Sequence, residues 1–189
     1  MNKIWLLAGV LALASCAYSP LQIQVYPEFQ VTADSIGSGH TLSVQGINEL
    51  PGGGLGSLGG VYSETSRISV ANDAGEAIAT GLRRGFANWS FRVTDTAAQV
   101  QVVARLVRLT YNSPDIVYTT TIDTSAEIHL EVKVGAATYF GTYSASGTDR
   151  NLVKPSREEV ETRVNGILGA TLQRVFEDRK LKDFLYTHL

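Results

Sequence analysis

Between residues 118 and 134 apolar and polar side chains alternate almost without interruption. Ile122, Ala126, Ile128, Leu130, Val132 and Val134 fall on one side, and Asp123, Ser125, Glu127, His129, Glu131 and Lys133 on the other. A period of two with one greasy and one wet side predicts a half-buried strand in an antiparallel sheet. Residues 100–111 repeat the pattern with Val100, Val102, Ala104 and Leu106 in phase. Arg108 and Leu109 then break it, which predicts a bulge. Residues 138–146, 41–47, 67–70 and 91–93 read as further strands. Leu21, Ile23 and Val25 alternate with Gln22 and Gln24, which predicts a short strand before Pro27.

Two segments switch to a helical period. Asn72 reads as the N-cap of a helix running to about Asn88, with Ala74, Ala77, Ile78, Leu82 and Phe86 on one side. Gly75, Gly81 and Gly85 each weaken it by about 1 kcal/mol relative to alanine. They mark places where the helix lies close to a sheet, or a poor helix held by packing. Ser156-Arg157-Glu158-Glu159 is a capping box preceded by Pro155. The helix it opens carries Val160, Val164, Ile167, Leu168, Thr171, Leu172, Val175 and Phe176 as one stripe, and residues 181–189 form a short amphipathic tail. The order of elements predicts an α+β fold: a mainly antiparallel sheet with two helices packed on one face.

Composition changes the picture at the N-terminus. Residues 4–14 (IWLLAGVLALA) are an unbroken apolar run after Lys3. Eleven residues rise about 16 Å as a helix, roughly half the hydrocarbon thickness of a bilayer. The run is too short to span and has the size of a signal-peptide core. Leu13-Ala14-Ser15-Cys16 follows, with the only cysteine in the chain. An aliphatic residue, two small residues and a thiol form a lipobox: the thiol takes a diacylglyceryl group, and the small residues admit the peptidase that cuts before Cys16. A lone free thiol in an oxidising compartment has no partner for a disulfide, and lipidation accounts for its presence. Residues 1–15 are therefore expected to be a cleaved lipoprotein signal peptide, residues 16–40 a lipidated N-terminus and tether, and residues 41–189 a single α+β periplasmic domain. Removing residues 1–15, which carry one lysine, leaves 174 residues with 15 basic and 18 acidic side chains. That weak acidity argues against a nucleic-acid partner, which requires a concentrated basic face.

Several motifs resemble chemistry without completing it. Residues 54–59 (GLGSLG) match the spacing of a dinucleotide fingerprint, but the residues that follow do not open the helix that would hold a pyrophosphate. The stretch Gly52 to Gly60 reads as a flexible loop that orders on contact with a partner. Glu127, His129 and Glu131 share one strand face at about 7 Å intervals; the polar alternation there reads as a solvated face, so no metal site is expected. Arg83, Arg84, Arg105 and Arg108 read as solvated charges, and His40 and His188 fall in loop and tail. No nucleophile elbow, HExxH or paired-carboxylate motif appears. The chain is expected not to be an enzyme and to need no cofactor.

Along its mature length the chain resembles the YajG-like family of bacterial lipoproteins. The likeness runs through Cys16-Ala17, Ile23-Gln24-Val25-Tyr26-Pro27, Gln99-Val100-Gln101-Val102-Val103, the strand at 118–130, residues 139–147 (YFGTYSASG) and the helix at 160–176. The resemblance implies S-diacylglyceryl and N-acyl modification at Cys16 and carries over no catalytic residue. Ala17, where an aspartate favours the inner membrane in lipoproteins of this pattern, implies the outer membrane with the body facing the periplasm. The expected role is a binding or scaffolding module that contacts an envelope protein or peptidoglycan. The alternative is a carrier or receptor for a small apolar or glycan ligand, with a pocket lined by Trp89, Phe91 or Tyr143.

Overall fold

The computed structural model describes residues 20–52, 54–59, 66–113, 120–151 and 155–189; the signal segment and Cys16 lie outside the described residues. In chain order the elements are β1 (Leu21–Ile23), β2 (Thr41–Asn48), β3 (Gly56–Ser57), β4 (Arg67–Val70), α1 (Ala74–Asn88), β5 (Arg92–Val93), β6 (Val100–Asn112), β7 (Thr120–Val134), β8 (Ala137–Asn151), α2 (Arg157–Glu177) and α3 (Arg179–His188).

The elements with the strongest local patterns form as expected. The alternating run becomes β7, with Ile122, Ile128, Leu130 and Val132 buried. A two-residue turn at Gly135-Ala136 joins it to β8, and the two strands pair without a register break from Val134↔Ala137 to Thr120↔Asn151. The register between β6 and β7 shifts between Leu106 and Arg108, so the expected bulge is present. Ser156 caps α2 reciprocally: its hydroxyl accepts from the Glu159 amide at 3.2 Å, and its own amide donates to Glu159 at 2.6 Å.

The sheet is mixed, not mainly antiparallel. Four pairings are parallel: β1 with β4, β2 with β5, β2 with β6 and β3 with β6. Three are antiparallel: β3 with β4, β6 with β7 and β7 with β8. Alternation along a strand reports which face is buried and carries nothing about the direction of the neighbour. Here the chain passes through β3, β4, α1 and β5 between β2 and β6, and β6 enters beside β2 running the same way. The segment from Gly54 to Gly59, expected as a flexible loop, supplies β3 between β4 and β6, and Leu55 is buried beneath it.

Helices α1 and α2 pack on one face of the sheet, α1 over β2 and β6 and α2 over β7 and β8, and α3 closes one end. The core between them includes Leu42, Val102, Leu106, Ile128, Ile78, Leu82, Val164 and Leu168. Phe86 makes edge contacts with Trp89, Phe91 and Phe176. At the start of α1 the helix backbone touches the sheet: a Cβ built on Gly46 of β2 would lie 1.9 Å from the Gly75 carbonyl oxygen. Gly81 and Gly85 serve a different neighbour, facing Leu172, Phe29 and Phe176 instead of the sheet.

Residues 20–40 do more than tether. Leu21–Ile23 pairs with Ile68–Val70 in the sheet, and Ile23, Val25 and Ile36 are buried. Among the described residues the sheet and core therefore already include Leu21, Ile23 and Val25, some twenty residues before the expected boundary.

Asp178 joins α2 to α3. Its carboxylate caps α3 through the Lys180 amide at 2.9 Å and accepts from Tyr139 at 2.5 Å and Tyr143 at 2.8 Å. Burial pushes this carboxyl up, but the two phenols and the amides of Lys180 and Leu181 outweigh it and hold the group below the ordinary aspartate range. A depressed folded-state value means the stabilisation is complete above the unfolded aspartate value near 4 and disappears as pH falls through the folded one. Asp178→Ala removes a helix cap and takes the carboxylate acceptor from both the Tyr139 and Tyr143 hydroxyls, which costs about 2–4 kcal/mol. Chemical denaturation should show that loss at pH 7 and a shallower acid decline in the variant. Parallel acid profiles would remove Asp178 from this role.

Candidate functional site

After β1 the chain does not continue the sheet. Residues 24–31 cross the outer side of the helix layer as a strap between α1 and α2. Pro27 cannot donate to a ladder, and the strap backbone is instead held by side chains. The Gln24 amide donates to Glu161 at 2.9 Å and the Tyr26 amide to Asn165 at 2.6 Å, while Asn165 returns a bond to the Gln24 carbonyl at 3.0 Å. From the other side, Asn72 accepts from the Val25 amide and donates to the Val25 carbonyl, both at 2.9 Å. Arg84 donates to the Pro27 carbonyl at 2.9 Å. Each asparagine offers one donor and one acceptor, so it pairs with the strap as a neighbouring strand would. The strap lies so close to α2 that a Cβ on Gly169 would sit 2.2 Å from the Glu28 carbonyl oxygen.

This assigns Asn72 a different task from the one its sequence context suggests. The N-cap of α1 is Asp73, whose carboxylate accepts from the amides of Gly75 at 2.8 Å and Glu76 at 3.2 Å.

Two clefts open on either side of the strap and meet at Tyr26. One, of about 410 Å³, is lined by Tyr26, Glu28, Asp73, Glu76, Thr80 and Arg84 among others. The second, of about 380 Å³, shares Tyr26 and Glu28 and adds Glu158, Glu161, Thr162 and Asn165. Tyr26 is 63% exposed between them, one of the few large apolar side chains in the described structure that faces solvent. The surrounding charge is mostly negative. Glu76 is engaged by Arg83 at 2.5 Å, and that hydrogen bond holds its carboxyl below the usual range; Glu161 is held below it first by the Gln24 amide and then by Arg157 at 3.1 Å. The side chains of Glu28 and Glu158 carry no hydrogen bond or ion pair among the described residues. The saddle thus offers an aromatic surface flanked by unneutralised carboxylates, a setting that favours a basic or amide-rich ligand.

The residues singled out from sequence fall elsewhere. Trp89, Phe91 and Tyr143 are buried core aromatics, at most 6% exposed, and line neither cleft. Glu127, His129 and Glu131 share the uncovered face of β7, but Glu127 pairs with Arg108 at 2.6 Å and His129 at 3.0 Å, and Glu131 with Lys133 at 2.6 Å. Among the described residues no group of three His, Cys, Asp or Glu side chains is placed to hold a metal ion. The four arginines do not converge: Arg83 and Arg84 serve Glu76 and the strap on the helix layer, while Arg105 and Arg108 pair with Glu49 and Glu127 on the sheet. His40 is half-buried, and His188 stacks on Phe184 at 4.7 Å. Tyr26, Glu28, Asn72 and Asn165 were not legible as a site. The available signal was an aromatic-proline step after a strand, in a segment too rich in apolar residues for a linker.

A half-covered mixed sheet, with a strap bridging its two long helices, defines a small α+β domain with an open surface groove. This chain belongs to a family described as uncharacterized lipoprotein, the YajG-like family, which it matches over residues 27–186. Membership implies membrane association through a lipid anchor. No curated protein matches the chain significantly. Among solved structures it is similar to protein XCC0632 from Xanthomonas campestris, of the family DUF330, with 9% identity, 87% of this chain and 96% of that one covered, and a TM-score of 0.49. A second, an uncharacterized protein, shows 10% identity over 82% and 97% of the two chains with a TM-score of 0.46. A third, provisionally named a neuraminyllactose-binding hemagglutinin homolog, from Helicobacter pylori, shows 6% identity over 85% and 97% with a TM-score of 0.43. Among the described residues no helix is long and apolar enough to cross a membrane.

Proposed function

We propose that this protein is a non-catalytic binding or scaffolding module of the bacterial envelope, acylated at Cys16 on the outer membrane and facing the periplasm. The lipobox at residues 13–16 and Ala17 support the address. The observation that carries the binding role is the Tyr26 saddle, where an exposed aromatic and the unpaired carboxylates of Glu28 and Glu158 meet in open clefts. The chemistry favours a basic segment of an envelope protein or the amine-bearing peptide of peptidoglycan. Leu21 follows Cys16 by five residues, a reach of about 17 Å when fully extended. An anchor at Cys16 would therefore hold the body against the membrane, in contrast to a long tether.

The test is a photoreactive phenylalanine analogue in place of Tyr26 in the full chain, activated in intact cells. A reproducible adduct is expected at Tyr26 and not at Gln45 on the uncovered sheet face. Glu28→Lys combined with Glu158→Lys should reduce its yield several-fold. Absence of any adduct, or equal adducts at both positions, would remove the saddle as the binding surface.

A further inference from the structure

The sheet treats its edges unequally. At one side, β1 and β5 are edge strands of three and two residues. Beyond its short pairing with β5, β2 is covered by α1, and Arg83 of that helix donates to the Val44 carbonyl at 3.0 Å. Shortness and covering by a helix are the usual means of keeping an edge from pairing with another chain. At the other side stands β8, fifteen residues long and, among the described residues, paired as a strand with β7 alone. Its ladder with β7 contains no bulge. From Ala137 to Thr148 it has no charged residue and no proline, and it is rich in threonine, tyrosine and serine. Phe140, 72% exposed, projects from it on the uncovered face. Shortness, bulge, charge and proline are missing from Ala137 to Thr148, where the edge is longest, and the cover it has among the described residues is chiefly α2.

Among the described residues one side chain bonds to the outward backbone of this edge. Arg174, in the last turn of α2, donates to the Ser144 carbonyl, which therefore points away from β7. Ser144 is the midpoint of Ala137–Asn151.

We infer that β8 is an interface between two copies of this chain, joined as antiparallel edge strands about a two-fold axis at Ser144. A two-fold there pairs the strand over its whole length. It sets Phe140 of one copy opposite Thr148 of the other, Thr142 opposite Ser146, and Ala145 opposite Tyr143. Asp149 falls opposite Tyr139 and Arg150 opposite Thr138, so no like charges face each other at any position. A strand without charge over twelve residues is compatible with its own copy, whereas a charged edge would repel itself. The outward amide and carbonyl of Ser144 become the central pair of the new ladder, and Arg174 is the group displaced. The inference is independent of the Tyr26 saddle, which lies on the helix layer.

The full chain, expressed in cells with Ser144→Cys, tests this. Opposed residues of a hydrogen-bonded antiparallel pair have Cα atoms about 5.5 Å apart, within disulfide range. Thr138→Cys would lie far from its own counterpart. A disulfide-linked dimer on a non-reducing gel is expected with Ser144→Cys, and not with Thr138→Cys, Gln45→Cys or the parent chain. Thr142→Cys and Ser146→Cys should link only when co-expressed. Arg174→Ala should shift the Ser144→Cys chain further towards dimer, because the competing donor is gone. The inference is overturned by no dimer with Ser144→Cys, by equal dimer at Thr138→Cys and Gln45→Cys, or by an adduct whose mass shows a different protein on the edge.

Discussion

Replacing Cys16 with serine is expected to abolish the proposed acylation while leaving the folded body intact. The wild-type chain is expected to start at residue 16 and to carry fatty chains by intact mass; the Cys16→Ser chain carries none. The effect is large because the anchor is cumulative. Each buried methylene contributes about 0.8 kcal/mol, so one chain holds a protein marginally and two or more hold it stably. A serine hydroxyl cannot form the thioether on which the first two chains depend, and the later N-acylation depends on cleavage at the lipidated residue. The folded body should not register the change. Among the described residues Leu21 is the first in the sheet, and Cys16 lies five positions before it in the sequence. Thermal denaturation of the two forms in the same detergent should therefore coincide. A wild-type chain without fatty chains, or one whose mature N-terminus is not Cys16, would overturn the proposed address. A large drop in melting temperature in the variant would instead show that the N-terminus is part of the fold.

The second large effect is on stability. Gly46→Ala would place a methyl 1.9 Å from the Gly75 carbonyl oxygen and 2.6 Å from its carbon. Both atoms belong to the backbone of α1, so no rotamer change relieves the clash, and the start of the helix must lift from the sheet. The buried side chains of α1, Ile78, Ala79 and Leu82 among them, would then draw away from β2 beneath the helix. Overpacking of this kind costs about 1–3 kcal/mol, and an unyielding backbone neighbour favours the upper end. For a domain of this size about 3 kcal/mol lowers the melting temperature by roughly 6–12 °C. Gly166→Ala is the matched control. Its Cβ meets nothing within 4 Å, and it sits inside α2, where alanine is favoured over glycine by about 1 kcal/mol. One alanine should therefore destabilise and the other stabilise. A Gly46→Ala chain as stable as wild type would mean that α1 does not approach β2 this closely.

Several elements were legible because neighbouring residues encode them. The alternation of β7, the bulge near Arg108 and the Ser156–Glu159 capping box each depend on residues within a few positions of one another. The stripe from Val160 to Phe176 reported its buried face for the same reason. Asn72 shows the limit of such reading. Beside Asp73 it looked like the better cap, since either side chain can accept a helix amide. What decided between them was Val25, forty-seven positions away, whose amide and carbonyl together required a side chain with both a donor and an acceptor. Aspartate cannot supply both, so the cap fell to Asp73 and the strap to Asn72. The aromatics Trp89, Phe91 and Tyr143 misled in the opposite sense. Ring chemistry suits both a core and a pocket, and only their burial against Phe86, Phe176 and Asp178 distinguishes the two.

By itself the amino-acid order determined the helices and the faces of the long strands. These follow from side-chain period, caps and short-range chemistry. The direction of each strand's neighbour, the recruitment of β1 into the sheet, the strap over the helices and the saddle at Tyr26 were decided by tertiary structure alone. Each joins segments distant in the chain, and the groups that meet there carry no local mark of their partners. Residue 24 reaches residue 161, and residue 46 reaches residue 75, only once the sheet has set where the helices lie.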